Sequence, residues 1–229
     1  MVPISCRIFY VETPNDLNII YDKLNNRILK SESQLIDGLS YELTTKFFDV
    51  ALFHDRLVCK LRYQDLIYSY DIDMKLKPTI NTYEADLDFR VKSKTFVLVH
   101  PSEYAGKTVK YLRYALETET VRPAIYKYIL PKYKIDEIMA RNPGTIKTSH
   151  YKGMDLPGWD SLIIHGDDLT RSQEMVDFMR QHSIDGEGYI IWTLFENGWT
   201  IGITREGSAV CWKSLEFHQW ADFVAERFL

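Results

Sequence analysis

The sequence predicts an α+β fold in which antiparallel β-meanders are covered on one face by helices. Three observations carry this. Apolar and polar residues alternate with period two over 68–75 and 83–92, as half-buried antiparallel strands do. Elsewhere apolar residues recur at helical spacing, as at Leu17, Ile20, Tyr21, Leu24 and Ile28. Asn197-Gly198 lies between two strand-like runs, the strongest short hairpin signal.

In chain order, Ile4–Val11 reads as a first strand. Thr13-Pro14-Asn15-Asp16 opens a helix: Thr13 caps it, Pro14 suits the first helical position, and Asp16 complements the positive end. The stripe from Leu17 to Ile28 continues that helix, and Gly38 punctuates the chain. Five strands are expected at 41–53, 57–63, 66–75, 79–91 and 95–99. On the third, Tyr68, Tyr70, Ile72 and Met74 form a buried face opposite Ser69, Asp71, Asp73 and Lys75. On the fourth, Tyr83, Ala85, Leu87, Phe89 and Val91 oppose Glu84, Asp86, Asp88, Arg90 and Lys92. A helix over Ser102–Leu116 completes the order β-α-β5-α for an N-terminal part, 1–120.

Pro123, Pro131 and Pro143 punctuate a connector over 121–144, with a short helix at Ile135–Arg141 and a turn at Asn142-Pro143-Gly144. The smaller C-terminal part, 145–229, opens with strands Thr145–Tyr151 and Ser161–His165. Thr170 and Gln173 have the capping-box spacing and open a helix through His182. A meander follows: Tyr189–Glu196, Trp199–Arg205, then Glu206-Gly207 turning into Ser208–Trp212. Ser214 caps a last helix with Leu215, Trp220, Phe223, Val224 and Phe228 on one side. The N-terminal order is similar to a helix-grip arrangement, and the C-terminal hairpin plus helix is more loosely similar to TATA-binding-protein-like sheets. Both are similarities of element order, and neither implies a function or a functional residue.

The chain has 229 residues, 45% hydrophobic and 26% charged, which excludes collagen-like, low-complexity and disordered classes. No stretch reaches the roughly 18 apolar residues of a membrane span, so no membrane partner is expected. The start MVPISCRIFYVETPND lacks the features of a signal peptide. Cys6, Cys59 and Cys211 sit in strand-like contexts without metal spacing, which points to buried reduced thiols and a cytoplasmic protein. Charge is uneven. Residues 151–229 carry 6 Lys+Arg against 13 Asp+Glu, while 75–147 carry 14 against 8. A basic middle and an acidic C-terminal region attract different partners, or each other.

G-x-G-x-x-G, Walker A, G-x-S-x-G, H-E-x-x-H and kinase motifs are absent, and no cofactor is expected. Two constellations are left. The first is acidic. Asp71 and Asp73 on one strand and Glu84, Asp86 and Asp88 on the next could meet around Mg²⁺. Asp73-Met74-Lys75 has the form of the D/E-x-K half of a metal-dependent nuclease site, with Asp55 as the upstream acid. The expectation is instead a solvated sheet face on which these five carboxylates are mostly exposed and structural. The second is basic and aromatic, running from Tyr104 to Lys134. Lys107, Lys110, Arg113, Arg122, Lys127, Lys132 and Lys134 interleave with Tyr111, Tyr114, Tyr126, Tyr128 and Tyr133. Lysine and arginine neutralise phosphates, and tyrosine rings stack on unpaired bases.

His54, His100, His150, His165, His182 and His218 show no paired ligand spacing. Trp192, Trp199, Trp212 and Trp220 read as core or interface residues of the C-terminal meander. The leading expectation is a non-catalytic binding or accessory protein that contacts nucleic acid, or an acidic protein, through the basic tyrosine-rich segment. A metal-dependent nuclease or phosphoesterase using Asp55, Asp73 and Lys75 is one alternative. A small-molecule binding module with its ligand between sheet and helix is the other.

Overall fold

A computed structural model describes residues 2–12, 16–91, 95–118 and 123–229, apart from the side chains of Lys132, Thr170, Val176 and Glu187. In chain order the elements are β1 (Ile4–Glu12), α1 (Leu17–Leu24), β2 (Ile28–Ile36), β3 (Leu39–Leu52), β4 (Arg56–Tyr70), β5 (Leu76–Val91), β6 (Thr95–His100), α2 (Ala105–Leu116) and β7 (Ala124–Lys127). Then come α3 (Lys132–Arg141), β8 (Gly144–Met154), β9 (Ser161–His165), α4 (Gln173–His182), β10 (Ser183–Leu194), β11 (Thr200–Thr204), β12 (Ser208–Cys211) and α5 (Phe217–Arg227). The fold is α+β, with antiparallel meanders. Two compact units divide the chain: Tyr10–Tyr126, and Met1–Phe9 with Lys127–Leu229.

In the Tyr10–Tyr126 unit, β2 to β6 form an antiparallel ladder in sequence order. Directly opposed residues share a face. Phe47↔Leu61, Leu57↔Phe89, Cys59↔Leu87 and Leu87↔Val99 therefore build one buried surface. Leu17, Ile20 and Leu24 of α1 and Leu112, Ala115 and Leu116 of α2 are buried.

The unit departs from the sequence-based expectation in four places. First, α1 is capped by Asp16, whose carboxylate accepts the Asn18 N–H at 2.8 Å; Thr13–Asn15 lie outside the described residues. Second, α1 stops at Leu24, and Ile28 begins strand β2 with 62% exposure. Asp37 (φ 51°) and Gly38 (φ 78°) form the two-residue turn joining β2 to β3. Third, the expected strands 57–63 and 66–75 are one strand, β4, which ends at Tyr70. Asp71–Lys75 is a turn, in which the Asp71 carboxylate accepts the N–H groups of Asp73 and Lys75 at 2.9 and 2.8 Å. The Lys77 ammonium and these N–H groups hold the Asp71 carboxyl below its ordinary range. Tyr68, Tyr70, Ile72 and Met74 are exposed, not buried. Pairing of β3 with β4 ends at Lys46↔Arg62, so β4 beyond that point has no such neighbour on its β3 side.

Fourth, Asp88 is fully buried, not exposed. It accepts two hydrogen bonds from the Arg90 guanidinium, at 2.5 and 2.9 Å, and Arg56 stands 3.9 Å away. A buried carboxylate persists because it is paired and hydrogen-bonded. Asp86 is half-buried, and burial pushes its carboxyl up. Glu84 is exposed and pairs with Arg62 at 2.5 Å.

In the second unit, the first half of β1 pairs with β12, with Ile4↔Cys211 and Cys6↔Ala209. The ladder continues antiparallel through β11, β10, β8 and β9. Trp192, Trp220 and Phe228 are among its largest fully buried side chains. The predicted hairpin strands are paired, with Thr193↔Thr200. The reversal spans 195–198, though, and not Asn197-Gly198 alone. Asn197 turns its side-chain oxygen onto the Trp199 N–H at 2.9 Å, and Phe195 N–H bonds the Pro143 carbonyl. At α5 the cap is Glu216, boxed with Gln219, and not Ser214. α4 begins at Gln173 behind a 3₁₀ turn over Leu169–Ser172, with Ser172 at its N-cap and no side-chain capping bond. The expected connector contains β7, and α3 starts directly after Pro131. Gly207 (φ 75°) turns the chain into β12; a Cβ there would lie 2.4 Å from the Tyr128 carbonyl oxygen.

Cys6, Cys59 and Cys211 are buried and form no disulfide among the described residues, and burial raises the thiols of Cys59 and Cys211. Burial, with Lys152 nearby, lowers the His150 imidazole. The folded form thus binds this proton more weakly than the unfolded chain. The associated stability is present above the ordinary histidine range and is lost as the pH falls toward the folded value. His150→Gln is expected to flatten that acid-side loss in thermal midpoints measured across pH; an unchanged profile would assign the acid dependence elsewhere.

Candidate functional site

Helical spacing turns Val109, Leu112 and Leu116 of α2 inward and leaves Lys107, Lys110, Arg113 and Tyr114 exposed, with Tyr111 half-buried. Beneath the helix lies a run of rings. Tyr63 stacks on Tyr83 at 4.9 Å, Tyr111 meets Tyr63 at 5.4 Å, and Tyr104 meets Tyr83 edge-on at 5.2 Å. Lys107 stands 5.5 and 5.2 Å from the Tyr63 and Tyr83 ring centres and pairs with Asp65 at 2.6 Å. Lys107 is therefore committed within the fold. Arg113 donates to the Ile125 carbonyl at 3.1 Å. Lys110 stands 6.0 Å from the Tyr114 ring centre. Tyr126, 54% exposed, stacks on Tyr10 at 6.5 Å.

Between α2 and the start of β2 is a cavity of about 360 Å³ lined by Arg27, Ile28, Leu29, Lys30, Tyr111 and Tyr114. Its volume falls near the lower end of the roughly 300–1,000 Å³ of small-ligand sites. Lys30 bonds Glu32 at 2.7 Å, whereas Arg27 and Lys110 have no ion-pair partner among the described residues. The sequence reading missed Arg27 and Lys30. The signal that could have found them is Asp37-Gly38, which fixes 28–36 as a strand.

The other half of the basic segment belongs to the other unit. There Lys127 is exposed and Tyr133 is 68% exposed. Tyr128 is half-buried, its N–H bonds the Ile8 carbonyl, and burial raises its phenol. Lys134 pairs with Glu137 at 3.3 Å with its side chain only 14% exposed. Lys132 opens α3, and its side chain lies outside the description. Arg122 lies outside the described residues.

The acidic constellation is not assembled. Asp55 precedes β4 and Asp73 follows it. A 15-residue strand separates them, a span of about 50 Å. Lys75 sits in the same turn as Asp73, with Asp71 accepting both N–H groups. Among the described residues no three His, Cys, Asp or Glu side chains group as metal ligands. Two of the histidines are engaged apart from one another: His165 Nδ1 lies 3.0 Å from Thr148 Oγ1, and His182 Nδ1 lies 2.7 Å from Asp155. A second cavity, about 350 Å³, is lined by Asp16, Leu17, Asn18, Leu52, Phe53, His54 and Val91. Of the tryptophans, Trp192 and Trp220 are buried and Trp199 is half-buried against Phe223, while Trp212 is 39% exposed.

Set against known proteins, the chain matches no family model and no curated protein sequence. No described helix is long and apolar enough to cross a membrane.

Proposed function

We propose that the chain is a non-catalytic binding protein whose α2 surface takes single-stranded nucleic acid. The observation that supports this is the cavity where Tyr111 and Tyr114 stand beside Arg27 and Lys30, with Lys110 over the Tyr114 ring. Exposed rings supply stacking platforms, and the neighbouring cations neutralise phosphates. Of the residues the sequence singles out, Lys110, Tyr111 and Tyr114 carry the reading. Lys107 and Arg113 act as its framework. Tyr126, on the same unit, extends it.

An electrophoretic shift with a single-stranded oligonucleotide at low salt tests the proposal. Tyr114→Ala is expected to weaken binding by about 1–3 kcal/mol. Arg27→Ala and Lys110→Ala are each expected to flatten the log–log salt dependence by roughly one unit per lost phosphate contact. A wild-type protein that shifts neither DNA nor RNA sinks the proposal. If the Arg27 and Lys110 changes instead slow association with an acidic protein, the surface serves that partner.

A further inference from the structure

The outer edge of β2 pairs with no strand among the described residues. Its sequence, Ile28-Leu29-Lys30-Ser31-Glu32-Ser33-Gln34-Leu35-Ile36, reads almost identically in both directions about Glu32. Its ends are apolar and open, Ile28 being 62% and Leu35 76% exposed. We propose that β2 is a self-recognition strand, pairing antiparallel with β2 of a second copy about a two-fold axis at Glu32.

The backbone admits this register. The two-residue turn makes Ile36 and Leu39 a hydrogen-bonded pair. Antiparallel pairs alternate, and the register with β3 is unbroken from Ile36 to Lys30. Even-numbered residues therefore spend their N–H and C=O groups on β3, and Ser31, Ser33 and Leu35 direct theirs outward. A two-fold at Glu32 sets Ser31 opposite Ser33 of the second copy, so outward groups meet outward groups. A register shifted by one residue would pair outward groups with inward ones.

The side chains match as well. Lys30 falls opposite Gln34 of the second copy, and the exposed Leu35 falls beside Leu29; the register shift between Ile28 and Lys30 takes Ile28 out of line with Ile36. Ser31 and Ser33 face each other across the axis, a favourable pair. The one like-charged pair is Glu32 with itself. Each Glu32 is already bonded to its own Lys30 at 2.7 Å and Gln34 at 3.1 Å. Lys30 of the second copy falls diagonal to it, so the cluster holds two positive and two negative charges. Charged residues on an exposed edge ordinarily discourage pairing; here they balance. The isologous interface closes on itself and yields a dimer, not a fibre.

Sedimentation and single-cysteine crosslinking of the full chain test this. The wild-type mass should be twice 26.9 kDa. Across the axis, residue 32 of each copy would have Cα atoms about 4.5 Å apart, within disulfide reach. Glu32→Cys should therefore give a covalent dimer under mild oxidation. Ser31→Cys and Ser33→Cys should not when each is alone, because like positions lie about 8 Å apart. A mixture of those two should crosslink. The native cysteines are buried and do not compete. Ser31→Pro removes an outward N–H while sparing the bonds to β3, and should raise the dimer dissociation constant by about tenfold with the circular dichroism unchanged. A monomeric wild-type mass at every concentration, or crosslinking of Ser31→Cys alone in place of Glu32→Cys, overturns the proposal. Neither result depends on nucleic-acid binding.

Discussion

Trp220→Ala is expected to destabilise the unit that contains α5 by about 3–5 kcal/mol. Trp220 is fully buried, stacks on Phe223 at 5.5 Å and meets Phe228 edge-on at 6.1 Å. Phe223 and Phe228 also meet at 5.8 Å, so truncation removes one ring of a packed trio and leaves a void that the paired strands cannot collapse to fill. The indole N–H has no hydrogen-bond partner among the described residues, so Trp220→Phe removes an unsatisfied donor together with some volume. It should cost much less than the alanine change. Urea titration reads both: the midpoint should fall steeply for Ala and slightly for Phe, with the slope unchanged. Equal losses would mean that volume at this position is not what holds the helix.

The second large effect is expected at the buried pair on β5. Asp88→Ala leaves the Arg90 guanidinium, only 10% exposed, without its carboxylate. Breaking such a pair from one side costs about 3–5 kcal/mol, because the surviving charge keeps its burial and loses the carboxylate that offset it. The double change Asp88→Leu with Arg90→Met should recover most of that loss. Both charges then leave together, and apolar volume takes their place. Arg56, at 3.9 Å from Asp88, is 22% exposed and can turn to water. If the double variant is as unstable as the single one, the pair contributes something that apolar packing cannot replace.

Most of the fold class was legible because antiparallel strands with one wet face write their period into the sequence. Tyr83 to Val91 shows this, with Ala85, Leu87 and Phe89 all in the core. The same pattern misled at Tyr68 to Met74. Period two reports that alternate residues share a face, but burial needs a neighbouring layer, and β4 runs past its pairing with β3. The stripe from Leu17 to Ile28 misled for a related reason. Its spacing stays helical through Ile28, yet Asn26 adopts φ 51° and turns the chain into a strand. Asp88 alternates as a wet residue should. Only the tertiary arrangement makes it a buried ion. The basic segment was visible as composition, but its partition between two units and its neighbours Arg27 and Lys30 were not. Contacts across some 80 residues of chain, like those around the α2 cavity, leave no local periodicity to read.

The path of β1 has a consequence for how the protein is made. Its first residues fold with Lys127–Leu229, and their ladder partner, the strand Ser208–Cys211, begins 201 residues after Arg7. At roughly 5–20 residues per second, the ribosome needs on the order of 10–40 s to deliver it. Tyr10–Tyr126 is contiguous and can fold while that synthesis proceeds. Throughout the delay the N-terminal strand, carrying Ile4, Cys6, Ile8 and Phe9, waits with its apolar side chains uncovered. The nascent chain therefore carries an adhesive flag until Ser208–Cys211 arrives. Interruption of translation after residue 126 leaves a folded body with that flag permanently displayed, the kind of segment that chaperones hold and that nucleates aggregation when they do not.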